Sequence, residues 1–363
     1  MNILTENKPN NNDREIRTTA VDFSFGELLN LHNDKEIIIR PEYQRLFRWS
    51  NEQRSRLIES IVMGLPIPPI FLIENEDGIL ELIDGLQRTS SVLQFLNHTA
   101  IEQPQLVLEG CDFIKELNGK TSETIDTVTR LKIKRTPIRA TIINKSGDAF
   151  VKYELFKRLN TGGSLLSAQE IRNCSSRMIE GGADFYELIQ RLAQFEAFSA
   201  AISRLPSTMI EQRANEELVL RFFALVNSRD SFKGNIEEWL DGYMEDVLFG
   251  RGSFDHDAME ALFQKTFQII FDKLGDQAFT RFNTHGEPTG RLAPAYYEAV
   301  CVAFVDRYDT LNDAPPETLV FRLKAAFGSE RFKNATGPGA NTIPKLYERI
   351  QVVQEYLCDE IPA

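Results

Sequence analysis

Residues 79–96 read ILELIDGLQRTSSVLQFL and place an apolar strand directly before a helix. Ile79, Leu80, Leu82 and Ile83 form a short apolar run of strand length, and apolar residues then recur at helical spacing over residues 89–96. The period changes at Asp84 and Gly85. The stretch therefore predicts a sharp strand-to-helix turn, around which we organise the rest of the chain.

The residues at this turn favour anion binding. Glycine adopts backbone angles that other residues avoid, and a helix start offers unpaired N–H groups at the positive end of its dipole. The first turn of the helix adds further donors and one guanidinium, from Gln87, Arg88, Thr89 and Ser90. From this motif alone, an ordinary turn with an exposed arginine is the preferred interpretation.

Length and charge limit the kinds of function. With 363 residues the chain can form two domains, and its net charge of −12 argues against a surface built for nonspecific nucleic-acid binding. Any DNA contact should be confined to a local basic patch.

The sequence shows neither a recognisable targeting segment nor a metal-binding motif. Residues 1–13 are polar and resemble a disordered leader, and the longest apolar stretch, residues 61–73, is broken by prolines and shorter than the roughly 20 residues that span a bilayer. The four cysteines and four histidines are scattered without metal-ligand spacing. We expect a cytoplasmic protein without zinc or disulfides.

Two segments flank the turn. Residues 41–50, PEYQRLFRWS, mix Trp49 and other aromatics with Gln44, Arg45 and Arg48, which suits a nucleotide clamp or equally a core segment with solvated arginines. Downstream, a capping box at Ser50 and Gln53 begins a helix that Gly64 ends. Strands are predicted at 68–74 and 79–84, joined by a hairpin turn at 75–78.

A basic block covers residues 130–145 with six basic and no acidic residues, in partly strand-like alternation. A solvated strand face is the default interpretation. A groove for DNA phosphate would use the same residues, and its candidates are Arg130, Lys132, Lys134, Arg135 and Arg139.

Beyond residue 176 the strand signals disappear. Ser167 and Glu170 form a second capping box, so Glu170 is interpreted as a cap and not as a catalytic base. Helices are predicted at 184–199, 208–225, 236–248, 258–274, 292–311, 316–327 and 343–357. We predict an α+β domain at 14–175 and an all-helical domain at 176–363.

Four segments together resemble the N-terminal domain of GmrSD-type modification-dependent restriction enzymes. They are PEYQRLFRW, PIPPIFLIE, ELIDGLQRTSS and FKRLNTGGSLLSAQEIRNC. The resemblance covers about residues 24–173 and implies a ParB/sulfiredoxin-like fold, in which a Gly-x-x-Arg turn at a helix start holds nucleotide phosphates.

The resemblance also implies roles for individual residues. It makes Asp84, Gln87 and Arg88 the catalytic candidates, with Asp84 orienting water or only fixing the turn. Leu86 replaces the first glutamine of the family's Asp-Gly-Gln-Gln-Arg pattern, which favours binding over hydrolysis. The nucleotide-binding candidates are Gln44, Arg45, Arg48, Trp49, Gly85, Thr89, Ser90, Asn160, Thr161, Gly162, Gly163, Arg172 and Asn173.

The implied function is a nucleotide-binding, weakly nucleoside triphosphate-hydrolysing sensor or regulator of an antiphage restriction system. Mg²⁺ is expected only because nucleotides usually carry it. No His-Asn-His nuclease segment is recognised, so a partner protein would supply the cutting activity, while a homo-oligomer stays open. The alternative is a DNA-binding or protein-interaction adaptor with a degenerate pocket.

Overall fold

The chain divides into two compact units, residues 1–162 and 163–363, here called the N-terminal unit and the C-terminal unit. A computed structural model describes residues 18–39, 49–143, 149–161, 167–177, 179 and 181–358. The predicted α+β class is confirmed, with a mixed sheet in the first unit and mostly helices in the second. The domain boundary predicted after residue 175 falls within the C-terminal unit.

The N-terminal unit is built on a five-stranded sheet of order β1-β5-β3-β4-β2. Strands β1 and β5 pair antiparallel, as do β3 and β4, whereas β3 and β5, and β2 and β4, pair parallel. Its elements are β1 (Thr18–Ser24), α1 (Phe25–Asn33), β2 (Ile37–Ile38), α2 (Asn51–Met63), β3 (Ile70–Glu74), β4 (Leu80–Asp84), α3 (Leu86–Leu96), a 3-10 turn (Lys115–Leu117), α4 (Thr127–Arg135), β5 (Pro137–Ile143) and α5 (Ala149–Thr161).

One face of this sheet packs against helices α1 to α4. Because side chains alternate along a strand, every second residue of β3, β4 and β5 joins the same buried cluster as the helices. The cluster includes Ile70, Leu72, Leu82, Ile138 and Ala140 from the strands and Phe25, Ile58, Val92, Leu93 and Ile133 from the helices. The helix that carries the predicted site is therefore anchored on the sheet.

Local signals in the first unit are largely confirmed. The Ser50 capping box begins α2, and left-handed Gly64 ends it. The predicted hairpin joins β3 to β4 through residues 75–78.

Two local predictions in this unit failed. The predictions missed β1, and the interpretation of residues 130–135 as part of a strand is wrong. These residues end helix α4, which Asp126 caps by accepting from the Thr129 N–H.

The C-terminal unit is mostly helical. Its elements are α6 (Ala168–Ser176), α7 (Gly182–Leu192), α8 (Glu196–Ala201), α9 (Ser207–Glu211), α10 (Ala214–Asn227), a 3-10 turn (Arg229–Ser231), α11 (Ile236–Leu248), α12 (His256–Leu274), a 3-10 turn (Gly275–Gln277), β6 (Arg281–Phe282), β7 (Pro288–Thr289), α13 (Pro294–Asp306), α14 (Tyr308–Asp313), α15 (Pro316–Gly328), α16 (Glu330–Thr336) and α17 (Ile343–Cys358).

Several predicted helices of this unit are shorter than expected. The helices predicted at 184–199, 208–225 and 292–311 are each divided in two. The second division is explained by Arg213, whose φ of +65° is left-handed and cannot continue a helix. The expectation that strands end near residue 176 is wrong for the β6-β7 hairpin, because two-residue strands carry no alternation to recognise.

Two general features complete the description. Among the described residues, no helix has the length and apolar character to cross a membrane. Within the same residues, no three side chains of His, Cys, Asp or Glu are grouped to hold a metal ion.

Candidate functional site

Strand β4 passes into helix α3 through Gly85, where glycine is required for two reasons. Its φ of +95° is left-handed, and a Cβ atom at this position would lie 2.3 Å from Cγ2 of Ile70. The β3-β4 register also shifts between Phe71 and Leu72, so a bulge directly precedes Asp84. The predicted sharp turn is present, and Ile70 of the neighbouring strand β3 packs against it.

Arg88 is held over this turn by one end of its guanidinium. Its Nη2 donates to the Pro69 carbonyl oxygen and to Asp84 Oδ2, both at 2.9 Å. Its Nη1 donates to no described residue, and its buried Nε likewise has no partner in the described part of the chain. The guanidinium is thus fixed in place through Nη2, while its other two nitrogens donate to none of the described residues.

Helix α3 begins without a side-chain cap. Ser24, Ser50 and Asp126 cap α1, α2 and α4, whereas Gly85 can offer no side chain to the first turn of α3. The helix start therefore keeps first-turn N–H groups that donate to no capping side chain. Together with Arg88, it makes the turn a place that favours an anion.

A protein-family model matches the part of the chain that contains this turn. Residues 25–177 match the GmrSD restriction endonuclease, N-terminal domain. The resemblance inferred from the four sequence segments is confirmed over this range, which runs from the start of α1 to just past α6. Comparison with curated proteins gave no match.

Other predicted residues of the GmrSD-like turn surround Arg88. The Gln87 side chain accepts a hydrogen bond of 3.4 Å from the Trp49 backbone N–H, which brings the end of the 41–50 segment to the turn. Thr89 and Ser90 are buried, and their hydroxyls have no hydrogen-bond partner within the described residues. The sequence did not predict that the Pro69 carbonyl oxygen holds Arg88, although Pro69 lies in PIPPIFLIE, one of the four segments that resemble the family.

Leu86, the departure from the family pattern, has a structural role. Its side chain is half-buried and packs against the core cluster of the N-terminal unit. An apolar residue is therefore favourable here for stability, independently of any ligand.

Arg172 and Asn173 lie inside the C-terminal unit, where protein groups take up their donors. Arg172 is 1% exposed and donates to Asp241, Glu217, Gln169 and the Glu237 carbonyl oxygen. Asn173 donates to Glu216. Their predicted nucleotide contact gains no support from this environment, which accounts for both residues by packing and ion pairing.

Several site candidates cannot be placed. Gln44, Arg45, Arg48, Gly162 and Gly163 lie outside the described residues. Asn160 and Thr161 are the last two positions of α5, and their side chains lie outside the description as well. Glu170 caps α6 with Ser167, as predicted.

The basic block of residues 130–145 is divided between two faces of the sheet. Residues 130–135 lie on α4, on the same side as the core cluster, where Lys132 Nζ donates to the Val62 carbonyl oxygen. On β5, Ile138 and Ala140 face that core, so Arg139 points to the opposite side. There it pairs with Asp22, and this pairing lowers the Asp22 pKa. The predicted DNA contact stays a prediction, and Arg139 is not part of the α4 surface.

Proposed function

We propose that the N-terminal unit binds a nucleoside triphosphate through its phosphates at the Gly85 turn. The bound nucleotide would serve a restriction or defence system as its sensor or regulatory signal. The observation that carries this proposal is Arg88, which is held through Nη2 while Nη1 has no partner among the described residues, beside an uncapped helix start.

Pre-organisation supports phosphate as the ligand. A guanidinium already fixed by two hydrogen bonds loses little further side-chain entropy on binding, and charge-assisted bonds to phosphate are among the strong ones. Gly85 allows the left-handed backbone with which the chain enters the helix at this point. The Asp84 carboxylate is paired with Arg88, so it repels an incoming phosphate less than a free carboxylate would.

Hydrolysis of the bound nucleotide would involve the Asp84 carboxylate. Asp84 Oδ2 is bonded to Arg88, which leaves Oδ1 as the atom that could orient water. Mg²⁺ would arrive with the phosphates, since none of the described carboxylates cluster to hold it. When bound, the ion would neutralise phosphate charge, while Arg45 and Arg48 are proposed to add positive charge from the 41–50 segment.

The biological setting follows from the family match. GmrSD is described as a restriction endonuclease, and residues 25–177 match its N-terminal domain. We propose a partner protein as the source of the nuclease chemistry, with nucleotide binding here licensing its action. Cytoplasmic location belongs to the same proposal.

The test compares wild type with Arg88→Ala and with Arg56→Ala, an exposed arginine on α2 whose partner is Asp112. Fluorescent nucleoside triphosphates with Mg²⁺ report binding, and phosphate release reports hydrolysis. We expect Arg88→Ala to bind about tenfold more weakly or worse, as for a lost hydrogen bond to a charged group, and Arg56→Ala to behave as wild type. Wild type that binds none of the nucleotides would refute the proposal.

A DNA-binding or protein-interaction adaptor is the second candidate, favoured by Leu86 being packed into the core instead of lining a polar pocket. In that case the exposed residues of α4, Arg130, Lys132, Lys134 and Arg135, would contact DNA phosphates. A gel-shift series at rising salt tests this, because phosphate contacts weaken steeply with salt. Binding that ignores salt would exclude α4 as the contact.

A further inference from the structure

The C-terminal unit contains a cleft of about 600 Å³ to which sequence analysis assigned no role. The β6-β7 hairpin, the start of α13, the end of α15 and helix α16 line it. Its volume lies within the range of about 300–1,000 Å³ that is usual for small-molecule sites. The cleft is large enough for a ligand of nucleotide size.

The charged side chains that line the cleft within the described residues are all positive. Arg281, Lys324 and Lys333 line it, and none of its lining residues within the described chain is acidic. This sign is opposite to the net charge of the whole chain, which is −12. Lys333 also pairs with Glu330 at 2.9 Å, but both side chains are exposed, so that pair holds the ammonium only weakly.

Lys324 is the most informative of the three cations. It is half-buried, and its Nζ lies 5.1 Å from the centre of the Phe282 ring. No described carboxylate lies within ion-pair distance of it, whereas half-buried Arg204 and Arg229 of the same unit pair with Asp276 and Asp306. A partly desolvated charge without a counter-ion is costly, and an anionic ligand would offset that cost.

Aromatic rings form the floor beside these cations. Tyr296 and Phe327 meet edge to face at 4.5 Å, and Phe282 lies 6.1 Å from Phe327 with the two rings nearly parallel. Phe282 keeps part of its surface exposed at the cleft. Flat aromatic surfaces beside cations suit a ligand that carries both a planar ring and a phosphate.

We propose that this cleft is a second nucleotide site, which binds a nucleoside phosphate with its base against the aromatic floor. Lys324, Arg281 and Lys333 hold its phosphate. The nucleotide comes either free from solution or as one unit of a single-stranded nucleic acid, since both present the same chemistry. This inference does not depend on the Gly85 turn, because all of its residues belong to the C-terminal unit.

A structural explanation competes with this proposal. Lysines near the last turn of a helix interact favourably with its dipole, and Lys333 occupies such a position in α16. Aromatic clusters are also common in helical cores. Neither explanation accounts for Lys324, which lies in the middle of α15 with its ammonium over a ring at the cleft.

Photo-crosslinking on the full chain tests the proposal. Azidoadenosine triphosphate and a short single-stranded oligonucleotide carrying iodouracil are the two probes. Each is applied to wild type and to Arg88→Ala, which removes labelling that depends on the other site. Protease digestion and mass spectrometry then locate the adducts. We expect adducts on peptides within residues 281–338 in both proteins, and the probe that gives them identifies the source of the nucleotide.

Charge reversal provides the control. Lys324→Glu should reduce these adducts about tenfold or more, as expected for loss of a charge-assisted bond to phosphate. Lys265→Glu is the matched control, because its Nζ also lies over a ring, 3.5 Å from the Tyr308 centroid, but outside the cleft. If Lys324→Glu unfolds by circular dichroism, the exposed Arg281→Glu and Lys333→Glu replace it. Absence of adducts in this segment with both probes, or equal adducts in the Lys324 and Lys265 variants, would overturn the proposal.

Discussion

Arg88 and Asp84 are joined across one turn of chain by a hydrogen bond of 2.9 Å between Nη2 and Oδ2. The same Nη2 atom also donates to Pro69, so both of its hydrogens are used. The side chains are 20% and 29% exposed, so the pair lies at the edge of the unit and not in its interior. Asp84 can therefore have either of two roles: its carboxylate can orient Arg88, or it can act on water.

Replacing Asp84 separates these two roles. Asparagine keeps an oxygen that accepts from Nη2, and it removes a charge that repels phosphate, so we expect Asp84→Asn to bind nucleotide at least as tightly as wild type. Loss of a general base usually costs 10²–10⁴-fold in rate, so phosphate release per bound nucleotide should fall by about a hundredfold or more. Fluorescence binding and single-turnover phosphate release measure the two effects.

Asp84→Ala is the companion variant. It removes the acceptor altogether, so Arg88 loses its orientation and binding should weaken as well. If Asp84→Asn releases phosphate at the wild-type rate, Asp84 only orients Arg88 and does not act on water.

Gly85 offers a prediction about stability. In Gly85→Ala, a Cβ atom would meet Ile70 Cγ2 at 2.3 Å in a left-handed backbone with φ of +95°. Gly78→Ala is the matched control, since its φ is +79° and no atom lies within 4 Å of the added Cβ. We expect urea unfolding to show a loss of about 1 kcal/mol for Gly78→Ala and about 2–4 kcal/mol for Gly85→Ala. Equal losses would show that Ile70 moves aside freely.

The glycine at the turn could be predicted from the sequence, whereas the contacts that the turn makes could not. The need for a glycine at Gly85 follows from the adjacent strand and helix patterns, which are local. Its contact with Ile70 does not, because that residue lies on a neighbouring strand whose register contains a bulge. The same applies to the Pro69 carbonyl oxygen that fixes Arg88.

Longer-range ion pairs were beyond the reach of local patterns. Arg172 was assigned to nucleotide through the family resemblance, whereas its partners Glu217 and Asp241 lie 45 and 69 positions further along the chain. A capped helix with a polar face looks the same in sequence whether that face meets solvent, ligand or buried carboxylates. The cleft of the C-terminal unit was missed for a similar reason, since its hairpin consists of two-residue strands.

Leu86 connects stability with hydrolysis. Leu86→Gln restores the amide of the family pattern at the turn, so we expect faster phosphate release with little change in binding. Because Leu86 packs against the core cluster, the same change should lower the free energy of unfolding by about 1–3 kcal/mol. Leu86→Met conserves volume and should change neither quantity much. Unchanged phosphate release in a folded Leu86→Gln would show that this position does not limit hydrolysis.

A chain of buried ion pairs should make the C-terminal unit sensitive to single substitutions, because removing one partner leaves a buried charge unpaired. Glu298 is 2% exposed and pairs with both Arg221 and Arg349, and Arg221 in turn pairs with Glu217. In Arg349→Met one Glu298 oxygen loses its partner, so we expect a loss of about 3–5 kcal/mol in chemical unfolding.

Arg331 is the matched control for Arg349. It also pairs with two carboxylates, Glu348 and Glu355, but at the surface. Exposed pairs contribute about 0–1 kcal/mol, so Arg331→Met should change stability by no more than that. Similar losses for both variants would mean that burial does not decide the strength of these pairs.

The pH dependence of stability should reveal Glu216. Burial raises the pKa of this carboxyl above its usual value of 4.5, although Arg213 and a hydrogen bond from Asn173 oppose the shift. The folded state therefore holds the proton more tightly than the unfolded state. This contribution to stability is complete below about pH 4.5 and is lost as the pH rises through the folded-state pKa. Glutamine cannot titrate, so wild type should lose stability relative to Glu216→Gln as the pH rises from 4.5.

Glu260 provides a control of opposite sign. A hydrogen bond from Arg191 lowers the pKa of Glu260 below 4.5, so its contribution is complete above that value and is lost as the pH falls through the folded-state pKa. Wild type should therefore lose stability relative to Glu260→Gln as the pH falls below 4.5. Urea unfolding of the three proteins across this range measures both differences. Each difference compares two proteins that differ at one carboxyl, so slopes of opposite sign indicate opposite pKa shifts of Glu216 and Glu260. Parallel curves would contradict the burial of charge at Glu216.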